Sequence, residues 1–253
     1  MTAVAATVEA PAKLTLELRV TGVRSDGYHL IDAEMTTLSI SDRLTITPAA
    51  DRPAGITVTG PFADGVPVGA DNLIARALAA CGERADVVVD KQIPNGGGLG
   101  GGSADAAAVL RWAGHPTDAA GLAAAARIGA DVAFCLVGGR ARVRGIGEIV
   151  EPIPSAPQVV TLVVPPIHVS TPAVYRAWDD LGGPTSDGPN DLEPAAVAVE
   201  PELARWRDRV RDLAGVRPIL AGSGATWFVH GAREDALAAL GDEGASVIVT
   251  TTG

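Results

Sequence analysis

The chain has 253 residues, of which 47% are hydrophobic and 20% charged, a composition typical of globular proteins. Its formal net charge of −10 argues against nucleic acid as the main partner, because a phosphate backbone needs clustered Lys and Arg. No apolar stretch reaches the length of a membrane span, and residues 1–10 lack the basic start of a signal peptide, so we expect a cytoplasmic protein without a membrane partner.

Strands dominate the first 50 residues. Residues 1–10 have strand character, and residues 13–20 alternate leucines with polar side chains such as Lys13 and Thr15, which predicts a strand with one apolar face. A turn pattern at residues 24–28 leads into a second strand over residues 35–46. A helix is predicted to follow from Asp71, which suits the N-cap position.

A glycine-rich loop lies between a predicted strand, residues 85–91, and an Ala-rich helix that begins near Ala104. Residues 96–102 contain six glycines. Glycine loses the most backbone freedom on folding, so such a run is expected where the backbone must approach another group closely or adopt a positive φ. A strand, a glycine loop and a helix N-terminus together form a cradle for a phosphate group.

Three interpretations of this loop compete. A flexible linker is the first, although linkers rarely lie tightly between a strand and a helix. A dinucleotide fingerprint is the second, because Gly96, Gly98 and Gly101 fit its spacing, but Asp118 opens a predicted helix where that motif needs the end of a strand. A phosphate loop of another class is the third. A Walker loop is excluded, because the chain contains no Gly-Lys-Ser or Gly-Lys-Thr.

The second half mixes helices and strands without a strict alternation, which favours an α+β chain. Three prolines within residues 151–158 mark the best domain boundary. The remaining predicted elements are a helix over about 118–128, a hairpin over 138–150, a strand at 159–164, a helix at 171–180, helices near 191 and 202, a strand–turn–strand at 219–230, a helix from 233 and a strand at 245–251.

Residues 94–107 resemble the phosphate-binding motif of the GHMP small-molecule kinases, and the resemblance extends from about residue 8 to residue 250. The sequence departs from the family pattern at Thr15, where Asn is usual, at Ala104, where a second Ser is frequent, and at Ala133, which replaces a Pro. Further segments are similar to motifs of one branch of that superfamily, namely residues 10–16, 24–30, 128–134 and 220–226, with weaker matches at 71–74, 145–148, 170–175 and 190–194.

The resemblance implies the two-domain GHMP kinase fold. Its parts would be an N-terminal ribosomal-protein-S5-like domain, residues 1–153, and a C-terminal ferredoxin-like α/β sandwich, residues 154–253. The implied activity is ATP-dependent phosphorylation of the 2-hydroxyl of a cytidine diphosphate-linked methylerythritol, on the non-mevalonate route to isoprenoid precursors. ATP and Mg²⁺ are the implied cofactors, and a monomer or weak homodimer is the implied assembly.

Two alternatives to this activity stay open. One is a kinase of the same superfamily for another alcohol, such as homoserine or mevalonate. The turn at Gly27, Tyr28 and His29 argues against it, because those substrates carry no base on which an aromatic ring would stack. The other is a nucleotide-binding regulatory protein without turnover, which would have no use for a catalytic base.

The resemblance also assigns roles to individual residues. Asp131 would take the proton of the acceptor hydroxyl, and Lys13 would pair with it and stabilise the transferring phosphoryl group. Tyr28, His29 and Tyr175 would bind the cytosine end of the substrate, and Ser103 would contact phosphate or the metal. The implied ATP-binding residues are Asn72, Lys91, Gly96, Gly97, Gly98, Leu99, Gly100, Gly101, Gly102, Ser103 and Asp105.

Overall fold

The computed structural model describes residues 4–49 and 55–253, whose strands form two sheets. The strand predicted at residues 1–10 therefore has its first three residues outside the described part. The larger sheet has six strands. They are β1 (Ala6–Val23), β2 (His29–Pro48), β3 (Ile56–Thr59), β4 (Ala85–Asp90), β5 (Arg140–Gly145) and β6 (Ile149–Pro152).

The long strand β2 organises the larger sheet. It pairs antiparallel with β1, β4 and β5, while β3 and β4 are parallel neighbours. β1 and β2 form a hairpin whose turn lies at the predicted position, between Val23 and His29. The register of this hairpin shifts between Pro11 and Lys13 and again between Thr15 and Glu17. Such irregularities change the direction of the nearby side chains.

Four helices pack against this sheet and one another: α1 (Leu73–Cys81), α2 (Gly101–Trp112), α3 (Ala119–Ile128) and α4 (Val132–Val137). Residues 104–110 of α2 are all buried, because small alanines let the helix approach its neighbours closely. The predicted cap of α1 was wrong by one residue: Asn72, not Asp71, occupies the N-cap, and its side chain accepts a hydrogen bond from the Ile74 N–H.

The smaller sheet is antiparallel, with the strand order β10-β7-β9-β8. Its strands are β7 (Val159–Val164), β8 (Ile219–Leu220), β9 (Trp227–His230) and β10 (Ser246–Thr251). The helices beside it are α5 (Thr171–Asp180), α6 (Glu193–Val199), α7 (Glu202–Ala214), α8 (Glu234–Leu237) and α9 (Ala239–Asp242). The predicted strand at 159–164 and helix at 171–180 are confirmed, whereas the helix predicted from residue 233 is two short helices.

The two sheets share one apolar cluster, which includes Leu14, Phe134 and Trp227, all fully buried. The end of the chain adds backbone contacts between them, because Leu38 of β2 forms a bridge with Thr252. The predicted division at residues 153 and 154 falls between β6 and β7 and stays a prediction. Among residues 4–49 and 55–253, no helix has the length and apolarity needed to cross a bilayer.

Candidate active site

The glycine loop connects β4 to α2 and leaves the start of that helix open. Gly100 is the N-cap residue of α2, with φ of 71°, and no side chain caps the helix. The first N–H groups of a helix have no partner within the helix, and they carry the positive end of its dipole. A cavity of about 220 Å³ lies along the loop, lined by residues 93–103 together with Leu73 and Lys91. The arrangement suits phosphate groups.

The loop is held between the two sheets. On one side, the Lys13 N–H of β1 donates to the Leu99 carbonyl at 2.9 Å. On the other, both the N–H and the hydroxyl of Thr226 donate to the Gly97 carbonyl. A Cβ added to Gly98 would lie 2.5 Å from the Gly224 carbonyl oxygen, so only glycine permits this close approach.

Lys13 and Asp131 form an ion pair beside the loop. Lys13 Nζ lies 3.1 Å from Asp131 Oδ2 and donates to Thr15 Oγ1 at 3.3 Å. The Lys13 side chain is 6% exposed and the Asp131 side chain 29%. Asp131 stands at the N-cap of α4, but its side chain makes no capping hydrogen bond, so the carboxylate is free to face the cavity. The ammonium and the carboxylate are therefore both placed at the wall of a cavity.

A second cavity, of about 690 Å³, is lined both by this ion pair and by aromatic residues. The ring of His29 lies 4.6 Å from that of Tyr175, at an interplanar angle of 30°. Trp178 meets the same imidazole edge-on at 5.7 Å. Tyr28 lines this cavity with a side chain that is largely exposed. Burial raises the pKa of the Tyr175 phenol, and the charge of Asp131 raises it further. The cavity therefore joins the predicted catalytic pair to all three predicted substrate residues.

Three charged residues that the sequence pattern did not indicate also line the larger cavity: Arg127 of α3, and Arg176 and Asp179 of α5. Neither arginine has an ion pair or a side-chain hydrogen bond within the described part of the chain. The Asp179 Oδ1 atom lies 2.8 Å from His29 Nε2. A cation at a regular helix position usually faces solvent, so nothing in the local sequence indicated that these side chains line the site.

Two predicted ATP-binding residues, Asn72 and Asp105, line neither cavity. The Asn72 side chain caps α1 and donates to the Pro67 carbonyl at 2.6 Å. Asp105 lies beneath the loop, where Lys91 Nζ donates to it at 2.8 Å and also to Asp42 of β2. Of Asn72, Lys91 and Asp105, only Lys91 borders the smaller cavity. Asn72 and Asp105 therefore contact the elements around the loop in this structure, and their part in ATP binding stays a prediction.

The Asp42, Lys91 and Asp105 cluster is almost free of solvent, with side chains 0%, 4% and 5% exposed. Burial raises the pKa of Asp105 to about 7, although the charge of Lys91 opposes this shift. The pKa of Lys91 is also raised, because the attraction of the two carboxylates outweighs its burial. Among the described residues, the Oδ1 atom of Asp105 has no hydrogen-bond partner. One lysine faces two buried carboxyl groups here, so a proton on Asp105 removes the excess negative charge.

The residues present fit a magnesium ion that is held mainly by its ligand. The described residues contain no group of three or more His, Cys, Asp or Glu side chains that could hold a metal. Mg²⁺ in phosphoryl-transfer sites is typically held by one or two protein oxygens, substrate phosphates and water. Ser103, which lines the smaller cavity in the first turn of α2, can supply one such oxygen.

The phosphate loop, its helix and the Lys13–Asp131 pair together define a small-molecule kinase of the GHMP class. The profile described as "GHMP kinases N terminal domain" matches residues 70–139, which include the loop. A 4-diphosphocytidyl-2-C-methyl-D-erythritol kinase of Paracoccus denitrificans is 40% identical over 238 residues, which cover 87% of this chain and 84% of that protein. The chain belongs to the family of 4-diphosphocytidyl-2-C-methyl-D-erythritol kinases.

Solved structures agree with this assignment. A crystal structure of 4-(cytidine 5'-diphospho)-2C-methyl-D-erythritol kinase matches with a TM-score of 0.76 and 34% identity, over 98% of this chain and 99% of that one. The mevalonate kinase of Methanococcus jannaschii, at 11% identity and a TM-score of 0.64, shares the fold alone. The predicted family, the α+β GHMP kinase fold and the prediction of an ATP-dependent kinase are therefore confirmed, and the two alternatives are not favoured.

Proposed function

We propose that this chain transfers the γ-phosphoryl group of ATP to the 2-hydroxyl of 4-diphosphocytidyl-2-C-methyl-D-erythritol, with the residues described above in defined roles. The observation that carries the proposal is the larger cavity. It is lined by the Lys13–Asp131 pair, which lies beside the glycine loop, and by the aromatic residues, so the alcohol and the base of one ligand both have partners.

The glycine loop binds the ATP phosphates through its backbone. The uncapped start of α2 presents N–H groups and the positive end of the helix dipole, which together stabilise phosphate oxygens. The absence of Cβ atoms at residues 96–98 and 100–102 lets these oxygens come close to the main chain. Ser103 would help the phosphates to hold Mg²⁺, and the bound ion would supply positive charge that offsets theirs.

Asp131 accepts the proton of the acceptor hydroxyl as the new bond to phosphorus forms. Its carboxylate lines the cavity without a capping role and lies 3.1 Å from Lys13 Nζ. Phosphoryl transfer depends mostly on positioning and charge stabilisation, so the ammonium of Lys13 also stabilises charge on the group in flight. The Thr15 hydroxyl oxygen accepts a hydrogen bond from this ammonium and helps to hold it in place.

The cytidine diphosphate part of the substrate occupies the rest of the larger cavity. Tyr28 and Tyr175 provide aromatic surfaces for the base, and His29 provides a polar ring edge. Arg127 and Arg176 also line the cavity, and neither has an ion-pair partner among the described residues, so both are available to the substrate's diphosphate. Cytosine recognition distinguishes this substrate from homoserine and mevalonate.

A coupled assay of ADP release tests the proposal with three acceptors: the cytidyl substrate, homoserine and mevalonate. We expect turnover with the first alone. Asp131→Asn should lower kcat by about 10²–10⁴-fold, a range typical for loss of a general base. Asp235→Asn, at an exposed position in the first turn of α8, is the matched control and should behave like the wild type. Equal turnover of homoserine, or an unaffected Asp131→Asn variant, would contradict the proposal.

Three further parts of the prediction stay untested: Mg²⁺ as the metal, a cytoplasmic location, and a monomer or weak homodimer. The donor set beside the loop supports Mg²⁺, because hydroxyl and phosphate oxygens are the hard ligands it prefers. Loss of activity on chelation, restored by Mg²⁺, checks the metal. Light scattering across a concentration series checks the assembly.

A further inference from the structure

At the wall of the larger cavity, His29 at the start of β2 packs against one face of α5. Tyr175, Trp178 and Asp179 follow one another at i, i+3 and i+4 along α5, so they share a face of the helix. The two rings fix the plane of the His29 imidazole, and Asp179 holds its Nε2 atom at 2.8 Å. The imidazole is only 10% exposed, so the ring has one defined orientation.

The partner of Nε2 decides which nitrogen of His29 carries a proton. An ionised carboxylate can only accept hydrogen bonds, so Asp179 requires a proton on Nε2. In a neutral imidazole the other nitrogen, Nδ1, is then an acceptor. Within the described part of the chain Nδ1 has no hydrogen-bond partner, and it is not among the buried unpaired atoms, so it keeps accessible surface on a residue that lines the cavity.

We propose that Asp179 is a specificity-determining residue, which fixes His29 as a hydrogen-bond acceptor and thereby selects cytosine over uracil. The inference rests on the proposed function for the location of the base. Cytosine carries an exocyclic amino group that donates, whereas the corresponding oxygen of uracil accepts. The Nδ1 atom therefore accepts a hydrogen bond from the amino group of cytosine. It repels the corresponding oxygen of uracil, because both atoms are acceptors. Without Asp179, the ring is free to carry its proton on Nδ1 and to accept uracil.

The first test reads the proton position directly. Long-range ¹H–¹⁵N spectra at pH 8, above the ordinary range of imidazole protonation, report which nitrogen carries the proton. A His29→Gln variant assigns the His29 signals among the four histidines. We expect a proton on Nε2 in the wild type and a mixture of tautomers in Asp179→Asn, because an amide either accepts or donates. A proton on Nδ1 in the wild type would overturn the inference.

The second test measures selectivity. Calorimetric titrations with cytidine diphosphate and uridine diphosphate are run with the ATP site saturated by a non-hydrolysable ATP analogue. The wild type should favour the cytidine nucleotide by about 5- to 150-fold, the range for one well-placed base contact. The ratio should fall towards one in Asp179→Asn and be retained in Asp179→Glu, which keeps the carboxylate. Asp180→Asn is the matched control, because Asp180 is exposed and does not line the cavity.

The outcomes separate this inference from the proposed function. If Asp179→Asn weakens both nucleotides equally and leaves their ratio intact, Asp179 only supports the helix and the inference is overturned. A wild type that binds neither nucleotide, or both alike, overturns it as well. If selectivity depends on Asp179 but the cytidyl substrate is not phosphorylated, the inference is supported and the proposed reaction is the part that fails.

Discussion

Replacing Gly100 with alanine should lower kcat by displacing the side chain of Lys13 on strand β1. Gly100 has φ of 71°, and a Cβ at this position would lie 2.7 Å from Cγ and 3.1 Å from Cε of Lys13. Carbon atoms in contact are normally about 3.5–4.0 Å apart, so Lys13 must move by about 1 Å. Its ammonium would then leave the position from which it contacts Asp131 and Thr15.

The expected loss of stability has two contributions, one from the backbone and one from packing. A residue with a Cβ in the left-handed region costs about 1–2 kcal/mol. Forcing a methyl group against the buried stem of Lys13 adds about 1–3 kcal/mol. The free energy of unfolding of Gly100→Ala should therefore fall by about 2–5 kcal/mol. A displacement of about 1 Å at a catalytic group can cost about 10²-fold in rate.

Gly82→Ala is the matched control for this experiment. Gly82 ends α1 with φ of 68°, close to that of Gly100, but a Cβ there would meet nothing within 4 Å. It should lose about 1–2 kcal/mol from the backbone alone and keep its kcat. Urea denaturation and the coupled ADP assay measure the two effects. A Gly100→Ala variant with wild-type kcat, and no less stable than Gly82→Ala, would show that the added methyl group does not displace Lys13.

Three further predictions test other parts of the site. Lys13→Met keeps the length of the side chain but not its charge. In steady-state kinetics it should lower kcat by a larger factor than it changes either KM, because the charge acts mainly in the transition state. A rise in the KM for ATP alone would contradict this. Tyr28→Ala should raise KM for the cytidyl substrate by about 5- to 150-fold, if base stacking is worth about 1–3 kcal/mol, while the KM for ATP stays constant; equal losses on a fragment without the base would make Tyr28 a packing residue. Because burial raises the pKa of Asp105 to about 7, above its unfolded value of about 3.9, the native state holds a proton that the unfolded state releases. The free energy of unfolding should therefore fall between about pH 4 and pH 7 by up to about 1.4 kcal/mol per pH unit, and Asp105→Asn should remove this part of the fall in urea titrations; identical pH profiles would place the proton elsewhere.

Local sequence was enough to predict the elements that depend on local chemistry. The helix at 171–180 and the strand at 159–164 were predicted with the observed bounds, because their apolar spacing is regular and their ends are marked by proline and polar residues. The cap of α1 was misplaced because Asp71 and Asn72 are both good N-cap residues, and the choice depends on which side chain reaches the Ile74 N–H.

Long-range packing explains what the sequence pattern could not predict. Alternation put Lys13 and Thr15 on a polar face, yet both are buried, because the glycine loop covers that side of β1. The pairing of Asp105 with Lys91 depends on Asp42 from a distant strand, which no local pattern indicates. The cavity positions of Asp179 and the two arginines follow from how α3 and α5 are placed, which only the tertiary structure provides.

The attachment of the glycine loop to both sheets has a consequence for how the chain melts. Lys13 holds the loop from the larger sheet and Thr226 from the smaller one, while the apolar cluster continues across both. Neither sheet can lose its structure without exposing the side of the loop that it holds. Thermal unfolding should therefore be one cooperative transition, with equal calorimetric and van't Hoff enthalpies, despite the domain boundary that is predicted between β6 and β7. A nucleotide bound at the loop should raise the melting temperature of the whole chain, and slow amide exchange in β9 as well as in β1.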